Sequence, residues 1–355
     1  MAAQSSTPIL NSDKLNAFLS KAVQDMGAAM HAALILIGDK LGLYKAMAGS
    51  GPLTPAELAA RTGTDERYVR EWLNAHAASG YVEYDPTTQT YVLPPEQSFV
   101  LTSQDLPGAF HMIASVFKDE PAITDVFRTG RGVGWHEHDR SLFEGCERFF
   151  RPNYAAHLIS EWIPSLGGVE QKLRAGGRIA DVGCGHGSSS ILMAEAYPNS
   201  HVFGFDYHRE SIERAKEAAA QAGVAERVTF AVAPSKSFPG DNYDLVTFFD
   251  CLHDMGDPVG AAQHVREVLA EDGTWMIVEP FAQDRVELNL NPVGRIYYSA
   301  STMICTPASR SQEVGLALGA QAGEAKLREV VLAGGFGQFR RASETPFNLV
   351  FEAKR

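Results

Sequence analysis

Two groups of residues have the types and spacing that chemistry requires. The first is Asp181-Val182-Gly183-Cys184-Gly185-His186-Gly187. Glycines at 183, 185 and 187 let a chain turn sharply out of a strand and let a ligand approach the backbone. A carboxylate at Asp181 can face a cationic group. Asp206 stands 19 residues beyond Gly187, where a carboxylate can accept hydrogen bonds from both hydroxyls of a ribose. A plain strand-to-helix turn would also use such a loop. The spacing here is G-x-G-x-G followed by Ser188, not the G-x-G-x-x-G of dinucleotide sites, and two acids frame a small nucleoside with a positive tail better than a pyrophosphate. The second group is Asp250-Cys251-Leu252-His253-Asp254-Met255, with Glu279 lying 26 residues beyond His253. An imidazole titrates at about 6.5, so its neutral form can remove a proton, and a carboxylate such as Glu279 can hold the other ring N–H. A histidine at a strand end can equally cap that strand or touch a cofactor.

These residues need a sheet to hold them. From Arg178 onward, strand-like runs alternate with helical ones: 178–182, 201–205, 227–233, 243–249 and 274–279, with helices starting near Gly187, Arg209 and Pro258. That alternation predicts an α/β, doubly wound sheet. A helix over 324–332 stops at Ala333-Gly334-Gly335-Phe336, and runs at 338–343 and 347–352 can pair as an antiparallel hairpin, giving a mixed edge. Ahead of the sheet, Thr54-Pro55-Ala56-Glu57 opens a helix with a capping box. A second helix follows over 65–79, then a hairpin from 81–84 and 91–93, which together make a winged-helix pattern. Residues 106–162 read as helical, rich in Phe and broken at Pro121 and at 130–134, a layer that covers an apolar pocket. The domains expected are 1–100 (winged helix and dimerisation), 101–170 (helical connecting layer) and 171–355 (the α/β domain).

Residues 178–355 resemble a class I S-adenosylmethionine-dependent methyltransferase, through Asp181 to Gly187, Asp206, the strand ending at Asp250 and the Ala-Gly-Gly-Phe ahead of the last hairpin. The resemblance implies a seven-stranded Rossmann-like sheet with an antiparallel last strand, and S-adenosylmethionine as cofactor. It places Gly183, Cys184, Gly185 and Gly187 along the methionine part, Asp206 on the ribose and Tyr207 on one face of the adenine, with Asp250 also near the cofactor. Where many relatives carry an Asp after the third strand, this chain reads Ala233-Pro234-Ser235, so Pro234 and Ser235 would hold adenine by stacking and backbone contacts. Leu252-His253-Asp254 is similar to the Leu-His-Asp-Trp stretch of small-molecule O-methyltransferases, with Met255 for Trp. In that family the histidine takes the acceptor's proton and is flanked by carboxylates. Glu279 resembles the first of these, while Lys326 falls near the place of the second, with Glu324 close by. Residues 29–93 resemble the N-terminal winged-helix domain of the same enzymes, which dimerises. The acceptor implied is a small, largely apolar molecule, methylated at a hydroxyl oxygen. The alternatives are N- or C-methylation, or a cofactor-sensing winged-helix regulator.

Bulk properties narrow the classes. Net charge is −12, so no basic field invites nucleic acid or an anionic membrane. The second winged-helix segment sets Asp65, Glu66 and Glu71 against Arg67 and Arg70, a poor surface for phosphates. The longest apolar run, 32–37, is too short for a bilayer, and Met1 to Pro8 has no signal-peptide pattern, so a cytoplasmic protein is expected. The apolar run points instead to a homodimer. Four scattered cysteines form no CxxC pair, and Trp135-His136-Glu137-His138-Asp139 reads as a solvated loop, so no metal is expected. Phe127, Phe143, Phe149, Phe150 and Tyr154 read as core, some of them available to an acceptor pocket.

Overall fold

The computed structural model describes residues 10–355; the expectation about Met1 to Pro8 lies outside the described residues. The chain divides into two compact units, Met1–Ala114 and Ser115–Arg355.

In the first unit a long helix, Ser12–Lys40, starts at Asn11, whose side chain accepts from the Lys14 N–H. The capping box expected at Thr54 forms, with the Thr54 N–H donating to Glu57 Oε2 at 2.7 Å. That helix, Pro55–Thr62, ends on Gly63 in the left-handed conformation that a side chain would resist. Asp65 caps the next helix, Glu66–Ala78, and β1 (Glu83–Asp85) and β2 (Thr90–Val92) pair antiparallel as the wing. Leu43, Tyr44, Leu58, Trp72 and Leu73 make its core.

The second unit is built on seven strands: β3 (Arg178–Val182), β4 (His201–Asp206), β5 (Val228–Val232), β6 (Tyr243–Phe249), β7 (Leu269–Pro280), β8 (Gln338–Glu344) and β9 (Asn348–Lys354). Their order is β5-β4-β3-β6-β7-β9-β8, and β9 pairs antiparallel with both of its neighbours, so it alone runs against the rest. Buried parallel strands need apolar residues on both faces, which is why 243–249 is apolar except at Asp244 and Thr247. Leu158 and Trp162 pack on one face of the sheet, Trp275 and Phe336 on the other. The order reverses between β3 and β6, which opens a crevice at their carboxyl ends. No helix among the described residues is long and apolar enough to cross a membrane.

Two expectations about the helical stretch are corrected. The helix Pro107–Thr129 runs through Pro121 without a break. Proline removes one helical hydrogen bond, and Phe117, four residues earlier, sits on an exposed stretch where water can serve the freed carbonyl. Strand β7 begins at Leu269 rather than Thr274, because Leu269 pairs with Tyr243 ahead of a register shift.

Candidate active site

The crevice is a cavity of about 480 Å³ at the carboxyl ends of β3, β4, β5 and β6. The loop after β3 forms its floor. Gly183, Gly185 and Gly187 all have positive φ. A Cβ on Gly183 would lie 2.8 Å from Cys251 Sγ, and one on Gly187 would lie 2.7 Å from the Phe230 ring. Gly183 and Cys184 both donate their N–H groups to the Phe205 carbonyl, at 2.8 and 3.1 Å, which ties the loop to β4. Gly183, Cys184 and Gly185 border the cavity. Gly187 does not; it lets the following helix, Ser188–Ala196, close onto β5.

Asp206, at the end of β4, reaches the cavity and accepts from the Gly185 N–H at 3.0 Å and the His208 N–H at 2.8 Å. Burial raises its carboxyl above the ordinary range, and those N–H groups oppose the rise. Tyr207, Pro234 and Ser235 line the same end, with Tyr207 edge-on to His136. Asp181 is elsewhere, contrary to the expectation that it faces a ligand. It is fully buried, off the cavity wall, and accepts from Ser189 Oγ and Ser190 Oγ at 2.6 Å each and from Thr247 Oγ1 at 3.0 Å. Its carboxylate pins the first turn of the next helix to the sheet.

At the end of β6 the backbone of Asp250 turns left-handed, with φ 48°. Its carboxylate lines the cavity and accepts from Tyr154 Oη and Asn348 Nδ2, both at 2.9 Å. Burial and the nearby Glu279 charge push it up to about 7. The turn Leu252–Asp254 follows. Glu279, on β7, accepts from the Leu252 N–H at 3.0 Å and faces His253 Nδ1 at 2.5 Å. The other ring nitrogen, Nε2, faces Asp254 Oδ1 at 3.1 Å. Burial alone would lower the imidazole, but the Glu279 and Asp254 carboxylates outweigh it and hold His253 well above its usual range. Asp254 borders the cavity and His253 does not. The expectation of an imidazole facing an acceptor is therefore corrected: the ring lies behind the wall, sandwiched between the Glu279 and Asp254 carboxylates. Glu324 and Lys326 are not part of this cluster, being paired with Arg328 and Arg341, and with Glu329, respectively. His253, Asp254 and Cys305 do bring ligand-type atoms within 4.8 Å of one another.

The roof comes from the helix Ser141–His157 and the turn Trp135–Glu137. Phe143, Phe150 and Tyr154 line the cavity, with the Phe150 and Tyr154 rings stacked at 5.9 Å. Phe127 is 74% exposed, not core. The 135–139 segment is not a solvated loop either. Trp135 and His136 line the cavity, while His138 is buried with Nδ1 2.8 Å from Asp119. Sequence reasoning missed Trp135, His136, Cys146, Glu147, His186 and Asp254 as wall residues; an aromatic residue beside a histidine after a glycine-rich break was the one available signal.

Residues 173–320 match the family model of a methyltransferase domain, and residues 29–103 match that of an Rv2258c-like winged HTH domain. Over 103 residues the chain is 35% identical to a 27-O-demethylrifamycin SV methyltransferase of Amycolatopsis mediterranei, covering 28% of this chain and 38% of that protein. Over 150 residues it is 31% identical to a ubiquinone biosynthesis O-methyltransferase of Bordetella avium, covering 41% of this chain and 56% of that protein. The match thus spans from about a third to just over half of the length of these curated relatives. Among solved structures, human N-acetylserotonin methyltransferase in complex with SAM superposes with a TM-score of 0.70 at 15% identity, over 100% of this chain and 99% of that one. Mitomycin 7-O-methyltransferase superposes with a TM-score of 0.68 at 17% identity, over 97% and 100%. These structures share the fold.

Proposed function

Because the chain carries an S-adenosylmethionine-dependent methyltransferase domain behind an N-terminal winged helix-turn-helix domain, we propose that it methylates a hydroxyl oxygen of a small, largely apolar acceptor. The observation that carries this reading is one cavity shared by two sets of groups. On its wall stand the glycine loop and Asp206 as one set and Asp254 as the other, backed by the buried His253 and Glu279, under an aromatic roof.

The residues suit the cofactor. Space around Gly185 is open, with nothing within 4 Å of where a Cβ would stand, so a ligand can lie against the loop backbone. Asp206 would take the ribose hydroxyls, and Tyr207 with Pro234 would flank the adenine. With Asp181 committed inside the sheet, Asp250, which lines the cavity, would meet the methionine ammonium. Bound there, S-adenosylmethionine supplies an electrophilic methyl group. What the chain adds is alignment, exclusion of water and a place for the acceptor's proton. Phe143, Phe150 and Tyr154 exclude water, and their apolar faces suit an aromatic or alicyclic acceptor.

Incubation with methyl-labelled S-adenosylmethionine and a panel of phenols, amines and carbon acids tests the reading. Label in a methyl ether supports it. Label confined to nitrogen or carbon products would overturn it.

A further inference from the structure

Behind the cavity wall three side chains of different chemistry converge. A ring nitrogen of His253, a carboxylate oxygen of Asp254 and Cys305 Sγ lie within 4.8 Å of one another. Nitrogen, oxygen and sulfur together suit zinc, which accepts all three. Four-coordinate zinc holds such atoms at about 2.0–2.3 Å, which sets them roughly 3.3–3.7 Å from each other. His253 Nε2 and Asp254 Oδ1 already stand 3.1 Å apart. The two residues are neighbours in the chain, and the tight turn Leu252–Asp254 brings their ligand atoms together. Cys305 arrives from the distant helical stretch Ser301–Cys305, so no spacing motif marks the set.

Two features prepare the set for a metal. Glu279 Oε2 faces His253 Nδ1 at 2.5 Å. A carboxylate there keeps a proton on Nδ1 and aims the Nε2 lone pair away from it, as partners behind metal-bound histidines do. The two pieces of chain are also tied together. Gln312 Nε2 donates to the Asp254 carbonyl at 3.0 Å, the Gly256 N–H donates to Gln312 Oε1 at 3.0 Å, and Ser309 Oγ donates to the Met255 carbonyl at 2.8 Å. Ser309 belongs to the helix Thr306–Arg310, which continues directly from Cys305. A dication has a way in as well. Asp254 borders the cavity beside Glu147, Asp206 and Asp250, and neither lysine nor arginine does.

We propose that His253 Nε2, the Asp254 carboxylate and Cys305 Sγ form a zinc site, with water completing four-coordination. The ion takes the Nε2 lone pair and the Cys305 thiolate, and the thiol proton leaves to solvent. Its two positive charges are balanced by the carboxylate and the thiolate. Zinc on Nε2 leaves that nitrogen no lone pair for a proton, so metal binding and proton transfer at His253 exclude each other. The site is thus a brake on any chemistry that uses the imidazole, whichever atom the enzyme methylates.

Zinc chloride titrated by calorimetry into the full chain, with its thiols reduced, tests the site. Wild type should bind one zinc ion per chain at micromolar concentration or below. Cobalt(II) in its place should give a thiolate-to-metal charge-transfer band in the near ultraviolet, which only a coordinated cysteine supplies. Cys305→Ser, shown to be folded by circular dichroism, should lose that band and bind zinc at least about tenfold more weakly. Glu279→Gln should keep the band and bind zinc about 10–100-fold more weakly, the usual effect of losing the partner behind a ligating histidine. Should Cys305→Ser not fold, loss of the wild-type band in His253→Ala carries the same test. No stoichiometric zinc binding by wild type, zinc binding without the cobalt band, or a band that survives in these Cys305 or His253 variants would overturn the assignment. None of these readouts involves methyl transfer, so their failure leaves the methyltransferase reading standing.

Discussion

At the scale of single residues, the surroundings of Asp250 in the cavity wall set when its carboxyl group titrates. Asp250 is buried beside Glu279 and rises from 3.8 to about 7. The folded protein therefore holds a proton there that the unfolded chain has released, and its stability falls as pH rises from about 4 to about 7. Asp250→Asn should remove that share of the slope. Melting temperatures of both proteins across this window check it: the variant should lose less stability than wild type as pH rises, and parallel curves would contradict the shift. His253 lies behind the wall, between the Glu279 and Asp254 carboxylates. His253→Ala should keep affinity for S-adenosylhomocysteine and lose methyl transfer by roughly 10²–10⁴-fold, the range for losing acid–base assistance. Single-turnover rates with an acceptor found by the panel measure it, and a near wild-type rate would remove the cluster from the chemistry. Which of two neighbours, His253 or Asp254, faces the cavity was not legible in the sequence. It depends on how the turn Leu252–Asp254 is wound, and the partners that wind it, Ser309 and Gln312, lie more than fifty residues away. Asp181 misled for a similar reason. A carboxylate at a strand end reads as a ligand, but Ser189 and Ser190 in the next helical turn hold it inside the sheet.

At the scale of elements, the legible parts were those whose pattern is fixed locally. The capping box at Thr54, the mostly apolar strand 243–249 and the glycine loop each carry their own cause. The roof over the cavity was less legible. Its turn Trp135–Glu137 follows a glycine-rich break with no periodicity, and its aromatic residues serve core and cavity alike. The loop makes a prediction of its own. Gly183 has φ 74°, and a Cβ there would meet Cys251 Sγ at 2.8 Å. Gly183→Ala should destabilise the fold by roughly 1–3 kcal/mol, from the backbone conformation and the displaced sulfur together. A lowered denaturant midpoint checks it, and an unchanged midpoint would mean the loop adapts. The winged helix explains itself by charge. On Glu66–Ala78, Arg67 pairs with Glu71 at 2.5 Å and Arg70 with Glu66, so both cations that could meet phosphate are already engaged.

At the scale of the whole molecule, the long helix Ser12–Lys40 leaves apolar side chains in the open. Leu15, Leu19, Val23, Met26 and Met30 recur every three or four residues and are all exposed, Met30 at 77%. The run 32–37, from which a dimer was expected, contributes less to that face, since Ala32 and Ile35 are buried in their own unit. A stripe of this length suits a second copy of the chain, across an interface larger than the ~800 Å² of crystal contacts. Sedimentation should give a dimer, and Met26→Glu with Met30→Glu should shift it toward monomer. A monomeric wild type at high concentration would contradict this. The central claim concerns the cofactor, and calorimetry tests it most directly. The account predicts micromolar-range binding of S-adenosylhomocysteine by the wild-type protein, a loss of roughly 1–3 kcal/mol in Asp206→Ala as the ribose hydroxyls lose a charged acceptor, and no heat with NAD. Binding of NAD with no response to S-adenosylhomocysteine would contradict it.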